Sequence, residues 1–242
     1  MTGFLLIDKP MDWTSHDVVG YLRKITGEKR IGHAGTLDPF ATGLLIVAIG
    51  RQYTKRLDEF KNLEKEYTTT IRLGAVSDTQ DRTGVVQNFK DTNTKIQEID
   101  TKQIETVLQS FVGAQEQIPP MYSAKKVDGK RLHALARAGK EVERKPSQII
   151  IHSIELTQPQ DVLSPHRGEL ERSYNEDTLN IKVSCSPGTY IRTLAHDIGA
   201  ALGVGAYCEE LRRTKIGSYN VEDAVSPKIL APEIIEQRLF HT

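Results

Sequence analysis

Apolar residues at Phe4 to Ile7 form a short continuous run that ends at Asp8-Lys9-Pro10, the pattern of a buried strand. Val18, Leu22 and Ile25 then recur on one helical face, and Thr14 with Asp17 three residues on resembles a capping box, so a helix is predicted there. Leu44 to Ile49 is a second apolar core stretch. Tyr67 to Leu73 is rich in β-forming residues and closes at Gly74, which predicts a strand. Ser77 to Gly84 reads as a turn, and its two aspartates miss the calcium-loop spacing. Ile104, Val107, Leu108 and Phe111 fall at helical spacing, with Gly113 as the predicted end of that helix. Ile118 to Ala124 contains two prolines and cannot be a regular interior element. A short helix is predicted over Leu132 to Ala138, strands over Ile149 to Leu156 and Leu179 to Ser186, and a helix over Thr193 to Leu202 that stops at Gly203. Ser218 to Thr242 reads as a strand and a terminal helix on the core. The order of elements predicts an α+β fold with a mixed, largely antiparallel central sheet flanked by helices, without internal repeats.

Composition narrows the classes. The chain has 242 residues, 38% hydrophobic and 26% charged, which suits a globular protein with a sizeable core. No apolar run is long enough for a membrane span, and no basic leader precedes Asp8-Lys9, so neither a membrane anchor nor a signal peptide is expected. Cys185 and Cys208 lack metal-ligand spacing and read as reduced structural thiols of a cytoplasmic protein. The formal net charge is zero, yet its distribution is uneven. Between Lys125 and Lys145 lie eight cations (Lys125, Lys126, Lys130, Arg131, Arg137, Lys140, Arg144 and Lys145) against Asp128, Glu141 and Glu143, whereas Gly168 to Asp177 is mostly acidic. The basic stretch is either an ordinary solvated face or a surface for phosphates.

Gly32 to Gly43, GHAGTLDPFATG, is the segment with the clearest chemistry. Its three glycines permit tight turns and close backbone approach, and Pro39 pushes Asp38 away from helical geometry. By shape it reads equally as an Asx-Pro turn between core elements or as a loop that presents a nucleophile or base to a cleft. In Cys185-Ser186-Pro187-Gly188-Thr189-Tyr190-Ile191-Arg192-Thr193 a strand ends in a Pro-Gly turn, and Tyr190 and Arg192, two apart on an extended segment, are expected to share one face.

The run GHAGTLDPFATGLL resembles the catalytic signature of the TruB family, the synthases that make pseudouridine in the T-loop of tRNA, and further blocks of that family follow in order. The resemblance, from about Phe4 to Gly217, implies a pseudouridine synthase fold with a catalytic cleft. It implies Asp38 as the catalytic nucleophile and His33 as a residue that extrudes or holds flipped nucleotides. Tyr67, after Lys65-Glu66, corresponds to the tyrosine that packs on the target base. That role has a physical motive, since a uridine must leave its stack before its glycosidic bond can be reached. In the block ending at Thr193, Tyr190 contacts the target nucleotide and Arg192 pairs with Asp38, holding it ionised. Leu211, in Leu211-Arg212-Arg213, lines the base pocket, and Lys9-Pro10 supports the active-site loop. Taken alone, these residues read more simply: a strand-edge tyrosine, a surface arginine, a core leucine, a structural histidine.

The implied reaction converts uridine to 5-ribosyluracil with no metal and no cofactor. Attack of Asp38 at C1′ and a glycal-type route both remain open. Tyr67, Tyr190 and Leu211 would wall the pocket, with Tyr67 as a candidate base for the C5 proton. Residues 1–217 are expected to form the catalytic domain, with a basic thumb-like insertion at about 123–147. Residues 218–242 are expected to be a short extension, too small for the PUA-type domain that many bacterial relatives carry. The implied partner is the tRNA T stem-loop, met by a cytoplasmic monomer with no membrane or obligatory protein partner. Competing readings are an isomerase of another RNA, a non-catalytic tRNA-folding chaperone, and a hydrolase, which would lack a second carboxylate at a recognisable spacing.

Overall fold

The computed structural model describes residues 1–89, 96, 98–123, 125–127, 129–157 and 177–241. The strands are β1 Gly3–Lys9, β2 Ile31–His33, β3 Thr42–Ile49, β4 Lys65–Leu73, β5 Ala75–Ser77, β6 Val86–Asn88, β7 Gly113–Gln117, β8 Lys126–Val127, β9 Lys130–Arg131, β10 Ser147–Leu156, β11 Thr178–Cys185, β12 Ala206–Ile216 and β13 Tyr219–Asn220. The described α-helices are α1 Ser15–Thr26, α2 Arg51–Thr54, α3 Asp58–Lys61, α4 Thr101–Ser110, α5 Leu132–Arg137, α6 Ile191–Ala201 and α7 Pro232–Arg238. The described residues fall into two compact units, one from residues 1–68 and 211–241, the other from 69–157 and 177–210. The chain leaves the first unit within β4 and returns to it within β12.

The first unit is organised by β3. One edge pairs antiparallel with β1, from Gly3 opposite Ile49 to Lys9 opposite Gly43. β2 also pairs antiparallel with β3, whereas β12 pairs parallel with it, Arg212 opposite Thr42. Every residue of β3 is buried, as expected for an apolar run covered on both faces. The period of two sorts its side chains into two cores. Leu45, Val47 and Ile49 join Leu5, Ile7, Val18, Val19 and Leu22 of β1 and α1, while Leu44, Ile46 and Ala48 join Phe4, Leu57, Phe60 and Ile216. The predicted capping box holds, with the Thr14 side chain accepting from the Asp17 N–H and the Asp17 side chain accepting from the Thr14 N–H. Residues after Gly217 pack on the same core: Val225, Leu230 and Ile235 fill the first cluster, and Phe4 and Phe240 exchange backbone hydrogen bonds of 2.9 and 3.0 Å.

In the second unit β4, β11, β10 and β7 are neighbours in that order, with β10 antiparallel to both β11 and β7. α6 runs so close to β12 that a Cβ on Gly199 would lie 2.2 Å from that of Ala206. The sheets are mixed and largely antiparallel, as the sequence predicts.

Local expectations differ in four places. Gly113 does not cap α4, which ends at Ser110; with φ of 112° it opens β7 instead. β7, GAQEQ, is a polar strand at the end of the row, so no apolar alternation announced it. Ser77 to Gly84 is not a plain turn, because Asp81 bridges to Cys208 of β12. α6 starts at Ile191, so Arg192 is helical and the same-face argument for an extended segment does not apply. The acidic run from Gly168, apart from Asp177, lies outside the described residues, as do Ala124, Asp128 and Thr242.

Candidate active site

The loop around Asp38 is held by its backbone. The Gly35 carbonyl accepts from Arg213 Nη2 at 3.2 Å. The Ser15 hydroxyl accepts from the Leu37 N–H at 2.9 Å and donates to the Leu37 carbonyl at 3.2 Å. The Asp38 carbonyl accepts from the Ala41 N–H, and the Pro39 carbonyl accepts from both the Asp12 N–H at 2.9 Å and Lys9 Nζ at 3.2 Å. Asp12 reaches Pro39 from a left-handed backbone with φ of 64°, which a short polar side chain tolerates. Leu37 and Phe40 are buried on either side, and the Asp38 side chain between them is half-buried. Apolar anchors and polar tethers thus fix the peptide that carries Asp38, a residue itself only partly buried.

Lys9 is fully buried at the end of β1, and its ammonium donates to the carbonyls of Pro10 (3.0 Å), Trp13 (2.6 Å) and Pro39. Burial lowers its pKa from 10.5 to about 8, with the nearby Asp38 charge acting in the opposite direction and Arg213 adding to the fall. Arg213 also donates from Nε to the Leu44 carbonyl at 2.8 Å. Its backbone passes so near Gly43 that a Cβ there would sit 2.3 Å from the Arg213 oxygen, and Gly43 has φ of 104°. The motif therefore requires glycine at this point. Beside it, Arg212 forms a buried bidentate pair with Asp8, both contacts at 2.9 Å.

His33 ends β2, with its ring edge-to-face against His16 at 5.8 Å between centroids. Burial, reinforced by His16 and Arg213, pushes its pKa down to about 4, so the imidazole is neutral under working conditions. Its Nδ1 is buried without a hydrogen-bond partner. Lys9, His33 and the Asp38 loop are thus brought together around Arg213. Tyr67 on β4 and Leu211 on β12 are buried side chains of this same unit.

Tyr190 and Arg192 belong to the second unit. Tyr190 occupies the N-cap of α6, and the Gln117 amide grips its backbone twice, accepting from the N–H at 2.8 Å and donating to the carbonyl at 3.0 Å. Arg192 is 3% exposed. Its guanidinium donates to the carbonyls of Tyr122 (2.6 Å) and Thr79 (3.2 Å), stands 3.7 Å from the Asp81 carboxylate and lies over the Tyr190 ring at 5.9 Å. Asp81 is itself ordered by the Thr79 and Thr83 hydroxyls and the Thr83 N–H.

Sequence reasoning missed Ser15, Arg213, Gln117 and Asp81. Arg213 carried a signal in the Leu-Arg-Arg block, and Asp81 sat in a segment dismissed as a turn. Ser15 and Gln117 had none, because each acts on a backbone remote in sequence. Among the described residues no group of three or more His, Cys, Asp or Glu could hold a metal ion, and no helix is long and apolar enough to cross a membrane.

Comparison with known proteins identifies the family. The family model for TruB family pseudouridylate synthase (N terminal domain) matches residues 23–191, and that for the tRNA pseudouridylate synthase B C-terminal domain matches residues 192–238. The chain is 44% identical to tRNA pseudouridine synthase B of Desulfotalea psychrophila, over 98% of this chain and 91% of the relative. It is 43% identical to the protein of that name from Bacteroides thetaiotaomicron, over 93% and 89%. Among solved structures it is similar to a Cbf5-Nop10-Gar1 complex, at 27% identity and a TM-score of 0.64, over 93% of this chain and 52% of that one. It is similar also to an H/ACA RNP bound to a substrate RNA containing 2'-deoxyuridine, at 25% and 0.65, over 96% and 53%. The chain spans about half the length of those two structures. It carries a mixed α+β pseudouridine synthase fold and belongs to the TruB family of pseudouridylate synthases, an isomerase family whose similar curated members are named tRNA pseudouridine synthase B.

Proposed function

We propose that this chain isomerises the T-loop uridine of tRNA, position 55, to pseudouridine, with Asp38 as nucleophile and the target base flipped out of its stack. The observation that carries this reading is the Asp38 loop. Its peptide is tethered by Arg213, Ser15, Lys9 and Asp12, and it holds a half-buried carboxylate inside the segment matched to the family. A preorganised nucleophile needs this kind of support, because catalysis rewards groups already held in the reacting geometry. From the motif match we assign Arg192 to the same reaction, Tyr67 to the base face and the C5 proton, and Tyr190, Leu211 and His33 to substrate contact. A neutral His33 suits a role in stacking and hydrogen bonding with a base better than one in phosphate pairing.

Phosphates are left to the basic stretch, where Lys125, Lys130, Lys140 and Lys145 are exposed. Arg144 is tied back to the Pro119 carbonyl at 3.2 Å. On this reading residues 123–147 form a thumb over the T-loop, within a catalytic domain of residues 1–217, and residues 218–242 extend that domain. The enzyme works as a monomer in the cytoplasm, a compartment in which the two buried free thiols stay reduced.

The test is pseudouridine formation on unmodified tRNA transcript, mapped by carbodiimide-stop primer extension for wild type and Asp38→Asn. A T-loop stop for the wild type alone, with tRNA binding retained by both, is expected. Tight binding with no stop from either protein would instead favour a tRNA-folding chaperone, and a stop elsewhere would favour another RNA site. A Lys130→Ala/Arg131→Ala variant should bind tRNA more weakly with a shallower salt dependence. An unchanged salt slope would exclude the thumb.

A further inference from the structure

We propose that Ser15 is a positioning residue for the reaction at Asp38, acting through its two-way grip on Leu37; the proposal rests on the reading of Asp38 given above. Ser15 is 2% exposed and Leu37 is 3% exposed, so the N–H and carbonyl of Leu37 have no ready recourse to water. A hydroxyl can accept one bond and donate another from a single atom, and the Ser15 Oγ does both, at 2.9 and 3.2 Å. The carbonyl it holds belongs to the peptide bond that leads into Asp38. Fixing that carbonyl fixes the plane from which the Asp38 Cα and its carboxylate depart.

The neighbouring tethers cannot replace it. Arg213 acts at Gly35, while Lys9 and Asp12 act at Pro39 beyond the carboxylate. Ser15 therefore controls the approach to Asp38 from its N-terminal side.

A second observation separates this role from helix capping. Ser15 is the first residue of α1, where a hydroxyl would ordinarily serve the helix end. Here the cap is complete without it, because Thr14 accepts from the Asp17 N–H and the Asp17 carboxylate accepts from the Thr14 N–H at 2.7 Å. The Ser15 hydroxyl is directed instead across 22 residues of sequence to Leu37. Thr14, Ser15 and Asp17 thus divide two tasks, with Thr14 and Asp17 starting the helix and Ser15 binding the loop to it.

The experiment measures single-turnover pseudouridine formation, tRNA affinity and the urea unfolding midpoint for wild type, Ser15→Ala, Ser15→Cys, Ser15→Thr, Thr14→Ala and Asp38→Asn. Ser15→Ala is expected to slow the chemical step by about tenfold to a hundredfold, the scale of a small misplacement of a reacting group, with tRNA affinity unchanged. Ser15→Thr, which keeps the hydroxyl, should recover most of the rate, and Ser15→Cys, a weak donor and acceptor, should fall between. Thr14→Ala loosens the same helix without touching Leu37 and should keep the wild-type rate. If Ser15→Ala does not fold, Ser15→Cys is judged by the same criteria. A wild-type rate in Ser15→Ala and Ser15→Cys, a rate in Ser15→Thr no better than in Ser15→Ala, or an equal loss of rate in Thr14→Ala at matched stability, overturns the proposal. An inactive wild type or an active Asp38→Asn overturns the reading beneath it, a result distinguishable from failure of the clamp alone.

Discussion

The two units use the same parts to opposite ends. Each has a motif residue whose N–H and carbonyl are both held by a single distant side chain, Leu37 by Ser15 in the first unit and Tyr190 by Gln117 in the second. Each also has a buried arginine–aspartate pair. In the first unit Arg212 and Asp8 meet bidentately at 2.9 Å and leave little of either group for other work. The second-unit pair is longer, 3.7 Å, and the Arg192 guanidinium is shared among Thr79, Tyr122, Asp81 and the Tyr190 ring. A saturated pair ties strands together; a dispersed one holds a cation in place without neutralising it at a single partner. The difference teaches that burial of an arginine does not tell its use, whereas the distribution of its contacts does.

The comparison can be broken at the saturated pair first. Asp8→Ala strands Arg212 in the core and should cost about 3–5 kcal/mol, read from urea unfolding. A loss well below that would mean Arg212 finds another partner, and the contrast with Arg192 would weaken.

The next effect concerns Lys9. Its pKa in the folded chain, about 8, lies below its usual 10.5, so the unfolded chain holds the proton more tightly between those values. This group therefore costs stability fully below pH 8, and the cost is relieved as pH rises towards 10.5. Relative to Lys9→Met, the wild type should gain roughly 3 kcal/mol across that window. Parallel stability curves for the two proteins would refute the shift.

Gln117→Ala leaves the Tyr190 N–H and carbonyl without the amide and should cost about 1–3 kcal/mol. In an activity assay it should also weaken substrate binding more than Thr14→Ala does, since it frees a motif residue. The smallest effect is that of Thr14→Ala itself, about 1 kcal/mol for a lost cap, measured by thermal unfolding. Equal effects of these two substitutions would show that gripping a motif backbone is no different from capping a helix.

The sequence by itself determined the α+β class, most of the longer elements, the capping box at Thr14–Asp17 and the Asp38 segment. Those features are local, since period, glycine placement and Asp-Pro chemistry are properties of neighbouring residues. Lys9, His33 and Asp38 could be named from motif resemblance, but not the way Lys9 reaches Pro39 or why His33 loses its charge. Both depend on burial by β1, β3 and β12, which are far apart along the chain. Tertiary structure alone decided that Arg192 is helical, that polar GAQEQ forms a strand, and that Ser15, Gln117, Asp81 and Arg213 serve the two motif segments. Ser15, Gln117 and Arg213 act on backbone carbonyls and amides, which every residue carries alike, and Asp81 meets Arg192 across a long stretch of sequence, so outside the Leu-Arg-Arg block no side-chain pattern pointed to them.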